Sequence, residues 1–145
     1  MKILSLLFLT LFLGKGCEAQ KNEDLETTVV EYVANTRGFY KKIVVQNKTV
    51  TVSKDRRGDD NPAPVKIADA DWQKIIEAFQ KVDLEKLPNL EAPSKKRFYD
   101  GAAIANLKIT YKDKVYESAS FDHGNPPSEI KKLVDTINAL VKEKE

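Results

Sequence analysis

The residues able to do chemistry are few, and they gather around one pair of apolar runs. Arg97, Tyr99 and Asp100 precede the run Ala103–Tyr111, while Asp122 and His123 follow the run Val115–Phe121. His123 is the only histidine in the chain, and imidazole is the side chain that titrates between pH 5 and 8. Beside aspartates it would serve general acid–base chemistry; with an arginine and an aromatic ring it would serve ligand or partner binding. Ser-His catalysis through His123 and Asp122 lacks a serine in a recognisable nucleophile turn, and neighbouring residues at a strand end point to opposite faces. A zinc site of the usual kind lacks ligands, because the chain has one histidine and one cysteine. No glycine loop that would cradle a phosphate is present. No catalytic residue, metal or cofactor is therefore assigned.

The elements that position these residues follow from periodicity. Ala103, Ala105, Leu107, Ile109 and Tyr111 alternate with Ile104, Asn106, Lys108 and Thr110, the pattern of a half-buried strand. Val115–Phe121 returns after a turn at Lys112–Lys114. A three-residue turn sets Leu107 opposite Ala119 and Ala105 opposite Phe121, leaving Glu117 as a misfit on the apolar face. Antiparallel pairing brings Tyr99, Asp100 and Gly101 beside Asp122, His123 and Gly124 at one rim. Arg97 approaches the same rim, and Arg37, at the mouth of an earlier hairpin, joins it in a suitable strand order. The candidate binding rim is thus Arg37, Arg97, Tyr99, Asp100, Asp122 and His123. The competing reading is a buttress, in which Asp122 caps local amides, His123 bonds a carbonyl and the glycines turn the chain.

The remaining elements form the frame. Thr27–Ala34 is a first strand and Asn35–Gly38 a turn. Phe39–Gln46 and Thr49–Ser53 form a hairpin around Asn47-Lys48, with Val45 opposite Val50 and Ile43 opposite Val52. Asp55–Pro64 breaks the sheet; its aspartates invite a calcium reading, but their spacing is not that of an EF-hand loop and Arg56 and Arg57 sit among them, so a solvated loop is expected. Ala70–Val82 reads as a helix with Asp69 as N-cap and an apolar stripe of Trp72, Ile75, Ile76, Phe79 and Val82. Leu84, Leu87 and Leu90 continue as an irregular packed segment, kept from helix by Pro88 and Pro93. A second helix follows Asn125-Pro126, with Ile130, Leu133, Val134, Ile137, Leu140 and Val141 on its stripe. The order strand, hairpin, helix, hairpin, helix predicts a two-layer α+β domain: an antiparallel sheet of about five strands with two helices packed on one face.

Three stretches carry a resemblance: Thr36-Arg37-Gly38-Phe39-Tyr40-Lys41-Lys42-Ile43, Arg97-Phe98-Tyr99-Asp100-Gly101-Ala102-Ala103, and Phe121-Asp122-His123-Gly124-Asn125-Pro126-Pro127. Together they resemble a family of small uncharacterised lipoproteins of Bacteroidota-type bacteria and, more loosely, a broader bacterial domain of unknown function. The similarity spans about residues 28 to 142. It implies a location and a fold, and brings no activity or catalytic residue with it.

The N-terminus agrees with that location. Lys2 precedes the apolar run Ile3–Leu13, too short to span the roughly 20-residue hydrocarbon core, and Gly14-Lys15-Gly16 leads into Cys17, the layout of an export signal. Cleavage before Cys17 resembles lipoprotein processing, with Gly16 fitting the pattern and Gly14 and Lys15 departing from it; cleavage after Ala19 follows the small-x-small rule of ordinary signal peptidase. The expected organisation is a signal over 1–16, a lipidated Cys17 and flexible tether over 17–26, and one domain over 27–145. Lys2 and Lys15 are the only charged residues before Cys17, so the remaining chain carries 22 basic and 22 acidic groups. Zero net charge does not suit a nucleic-acid partner. The expected function is a non-enzymatic binding or envelope-interaction module, attached to a membrane through lipid on Cys17 and facing an envelope protein or small ligand. The alternative is a secreted soluble hydrolase-like enzyme using His123 with nearby aspartates.

Overall fold

The computed structural model describes residues 25–142; the signal, Cys17 and the tether as far as residue 24 lie outside the described residues. The chain is a mixed α+β domain built on an open antiparallel sheet. Leu25–Thr27 form a helical turn, and Leu25, placed in the tether by its polar neighbours, is buried in the core. The first strand therefore begins two residues later than expected: β1 is Val29–Asn35. β2 (Tyr40–Gln46) and β3 (Thr49–Ser53) follow, joined by Asn47 and Lys48 at φ 49° and 57°. Two positive φ values give the turn a twist that matches the strands. Val45 pairs with Val50 and Ile43 with Val52, as their alternation requires.

The sheet has more strands than the sequence suggests. β4 (Val65–Lys66) adds to β3 after the proline-containing loop, β5 is Ile104–Tyr111, β6 Lys114–Glu117 and β7 Phe121–Asp122. The order is β4-β3-β2-β1-β5-β6, with β7 also on β5, so seven strands replace the expected five or so. α1 (Asp69–Gln80) and α2 (Lys131–Lys142) carry the apolar stripes, and 3₁₀ helices lie at Leu84–Asn89 and Lys96–Tyr99. Pro88 bars an α-helix but lies inside the short 3₁₀ segment, which replaces the expected irregular stretch. Asp69 is not the N-cap: Ala68 holds that position without a side-chain bond, and the Asp69 carboxylate accepts from Lys48 Nζ at 2.8 Å.

One face of the sheet supplies the core. Val30, Tyr32 and Ala34 of β1, Ile43 and Val45 of β2, and Ala105, Leu107 and Ile109 of β5 are buried in one cluster with Trp72, Ile75 and Phe79 of α1 and Leu133, Ile137 and Val141 of α2. Each large aliphatic or aromatic side chain so buried contributes about 1.5–3 kcal/mol. On the opposite face Glu31 lies between Lys42 at 3.1 Å and Lys108 at 3.4 Å. Partial burial raises its carboxyl pKa, but the two lysines outweigh that and hold it below the ordinary value.

The Glu117 misfit is resolved by a change of register. Lys112 and Asp113, at φ 48° and 62°, make a two-residue turn rather than the expected three, so Lys108 pairs with Glu117 and that carboxylate faces solvent. At β7, however, Ala105 pairs with Phe121, the register of the longer turn. One extra residue is absorbed between the strands, a bulge. Ser118 holds it: its amide donates to Leu107 O and its Oγ accepts from Leu107 N at 3.0 Å.

Candidate functional site

The bulge decides which way Asp122 and His123 look. Phe121 shares the core-facing side with Ala105, so Asp122 looks to the other face of the sheet and His123 back toward the helices. The expected single rim is thus two arrangements placed back to back.

On the first face Asp122 is buried and fully engaged. Oδ2 accepts from Ser94 Oγ at 2.5 Å and from the Lys96 amide at 2.8 Å; Oδ1 accepts from the Arg97 amide at 3.0 Å and from Arg97 Nη1 at 3.1 Å. Arg97 also donates to Ser94 O and Ser120 Oγ, and Asn125 Nδ2 donates to Ser94 Oγ. Burial alone would raise the Asp122 pKa, but Ser94, the two amides and the guanidinium together hold it far below the usual carboxylate range. This network clamps the 3₁₀ turn Lys96–Tyr99 from beneath. The turn in return exposes Phe98 and Tyr99, at 70% and 71% the most exposed large hydrophobic side chains of the described residues, with the Arg97 guanidinium 4.3 Å from the centre of the Phe98 ring. Asp100 is exposed in the left-handed conformation that ends the turn.

On the helix face the His123 ring is partly buried. Tyr32, wholly buried on β1, places its hydroxyl 2.7 Å from His123 Nδ1, and the Asn138 side chain also bonds that hydroxyl. Asn138 Nδ2 donates to Val134 O beside this pair. Burial, chiefly, and the charges of Lys41 and Lys142 push the His123 pKa down, while burial raises that of Tyr32. Phe39 packs its ring 5.9 Å from the imidazole. His123, Gly124, Lys41 and the α2 residues Val134, Asp135, Asn138, Ala139 and Lys142 line a cleft of about 250 Å³.

Of the residues expected at one rim, Arg97 and Asp122 are joined, Tyr99 and Asp100 flank them, His123 sits on the reverse face, and Arg37 is exposed on the β1–β2 turn without entering either network. The buttress reading holds for Asp122; for His123 the ring partner is the Tyr32 hydroxyl rather than a carbonyl. Asp122 bonds Ser94, Lys96 and Arg97 while His123 Nδ1 meets Tyr32 on the reverse face, so the two do not form an acid–base pair. Sequence reasoning missed Tyr32, Lys41 and Asn138. The first reads as ordinary core, and the others become visible only as polar residues interrupting apolar faces.

Elsewhere, Asp55 and Asp60 accept from the Arg57, Asp59 and Lys54 amides and from Ser53 Oγ, so the acidic loop is closed upon itself. Among the described residues no group of three or more His, Cys, Asp or Glu side chains is placed to hold a metal ion, and no helix is long and apolar enough to cross a membrane. In comparisons with known proteins, no protein-family model, curated protein or solved structure matches this chain.

Proposed function

We propose that the protein is a non-enzymatic binding module, displayed by an exported chain tethered through lipid on Cys17, which engages an envelope protein through Phe98 and Tyr99. The observation that carries this reading is the contrast within one turn. Its backbone amides and its arginine are fixed by a buried carboxylate, while its two aromatic rings stand in solvent. Exposed aromatic side chains beside an arginine are the composition of interface hot spots. Holding them in place beforehand removes part of the ordering cost of association. The same network argues against the hydrolase reading, because it leaves Asp122 no free oxygen to orient an imidazole.

The experiment has two parts. The mass and detergent partitioning of the mature protein, compared with Cys17→Ala, tests the tether: an acylated Cys17 lost in the variant supports it, and a free chain starting at Gln20 overturns it. A photo-crosslinking side chain at position 99, compared with one at position 112 at the other end of β5, tests the surface in intact cells. A defined envelope adduct specific to position 99 supports the reading; equal labelling at both positions, or none at 99, overturns it.

A further inference from the structure

We infer that the aromatic turn is one end of a wider docking surface running over Ile104 to Tyr40, and that this surface receives an acidic protein segment with apolar side chains among its carboxylates. The inference rests on the binding-module reading and adds to it the extent of the surface and the chemistry of the partner.

The extent follows from register. Asn35 pairs with Tyr40 on one side and with Ile104 on the other, and Ile104 pairs in turn with Asp122. These four residues alternate with the buried Ala34, Ala105 and Phe121, so they share the sheet face turned away from the helices. Cross-strand neighbours on one face stand about 5 Å apart. Asp122 holds the Lys96 and Arg97 amides, which fastens the aromatic turn next to Ile104. Ile104 is itself exposed, as Phe98 and Tyr99 are. At the far end the Arg56 guanidinium stands 5.8 Å from the centre of the Tyr40 ring and donates to Thr36 O at 2.6 Å. An apolar patch with a polar rim is the form of an interaction site, which a single exposed isoleucine would not be.

The chemistry follows from that rim. Lys95 and Lys96, both exposed, begin the turn. Arg37, also exposed, lies two residues beyond Asn35, and Arg56 closes the Tyr40 end. Arg97 is already engaged by Asp122 and lies against the Phe98 ring. Cations around an apolar centre suit a partner whose carboxylates fall on the rim while its apolar groups meet the rings. Asp100, exposed beside Tyr99, directs the choice toward protein. A protein segment can leave that position uncharged, whereas a continuous layer of anionic headgroups would set phosphates against it.

The test places a photo-crosslinking side chain at position 99, and separately at position 104, in the full chain in intact cells, and identifies the attached segment by mass spectrometry. Both positions are expected to label the same acidic segment. Lys95→Glu with Lys96→Glu should cut the adduct about tenfold. Lys81→Glu with Lys132→Glu, the same change of charge on exposed helix-layer positions, should leave it intact. An adduct on a neutral or basic segment, different segments at 99 and 104, or a yield that survives the reversal at 95 and 96 overturns the inference while the binding-module reading stands. Equal loss from the pair at 81 and 132 also overturns it, because general charge attraction would then be at work. A lipid or glycan adduct, or none specific to position 99, overturns both.

Discussion

Tyr32→Phe separates the hydroxyl from the ring that carries it. The ring packs in the core 6.2 Å from Phe121, and phenylalanine keeps that packing without a cavity. What is lost is the hydroxyl's bond with His123 Nδ1 and its interaction with Asn138. A neutral hydrogen bond contributes about 0.5–1.5 kcal/mol net. Asn138 keeps its bond to Val134 O, and the partly exposed imidazole can turn to solvent, so neither partner is stranded. The expected loss is about 1–2 kcal/mol, or roughly 4–8 °C in Tm for a domain of this size. The imidazole should respond in parallel. With the hydroxyl gone the nitrogen shifts of the ring should change, while burial and the two lysines still hold the His123 pKa below its ordinary value. Thermal melts and the imidazole nitrogen shifts of wild type and variant measure both. An unchanged Tm together with unchanged nitrogen shifts would refute the Tyr32–His123 bond.

Other variants test the frame. Phe121→Ala, emptying a wholly buried site against Tyr32, should cost about 3–5 kcal/mol in denaturant unfolding. Ser118→Ala strips the bulge of the hydroxyl that meets Leu107 N and should cost about 1–3 kcal/mol by the same measurement; a neutral result would mean that the bulge holds itself. The pH dependence has a fixed sign. Asp122 has a depressed folded pKa, so its contribution is fully present above the unfolded value near 3.9 and is lost as pH falls toward the folded value. His123, also depressed, resists the proton that the unfolded chain takes up near pH 6.5, so stability again falls on acidification below that point. Acid unfolding of Asp122→Asn should lack the lower of these two legs, and a profile matching wild type would contradict the assignment. Glu31→Gln, at an ion pair on the open sheet face, should change stability by less than about 1 kcal/mol.

What was legible in the sequence is what local period determines. The Asn47-Lys48 hairpin and the helix stripes could be read because their spacing alone sets which residues share a face. β4 could not, since two residues have no period, and Val65 becomes a strand only by lying beside Val50. The Arg97–Asp122 network was half visible: antiparallel pairing placed both at one rim, but Ser94 and Asn125 are ordinary loop residues until the chain closes over β7. The Tyr32–His123 bond was out of reach, because it spans 91 positions and its tyrosine sits in sequence as plain core.

Glu117 was the sign that could have led further. A charged residue on the apolar side of an otherwise regular strand means either a buried charge, costing several kcal/mol, or a slip of register. The slip is much cheaper, and a serine just after the misfit supplies a hydroxyl to satisfy the amide that the bulge frees. Once the slip is accepted its consequence is forced. Carried on without it, the β5–β6 register would set Phe121 opposite Ile104, turn that ring to solvent and send His123 after it. With it, Phe121 seals the core, Asp122 turns outward beneath the aromatic turn, and His123 turns inward to Tyr32 and the cleft. A single inserted residue thus divides neighbouring side chains between two surfaces, one clamped beneath exposed aromatic rings and one bonded to the buried Tyr32 hydroxyl.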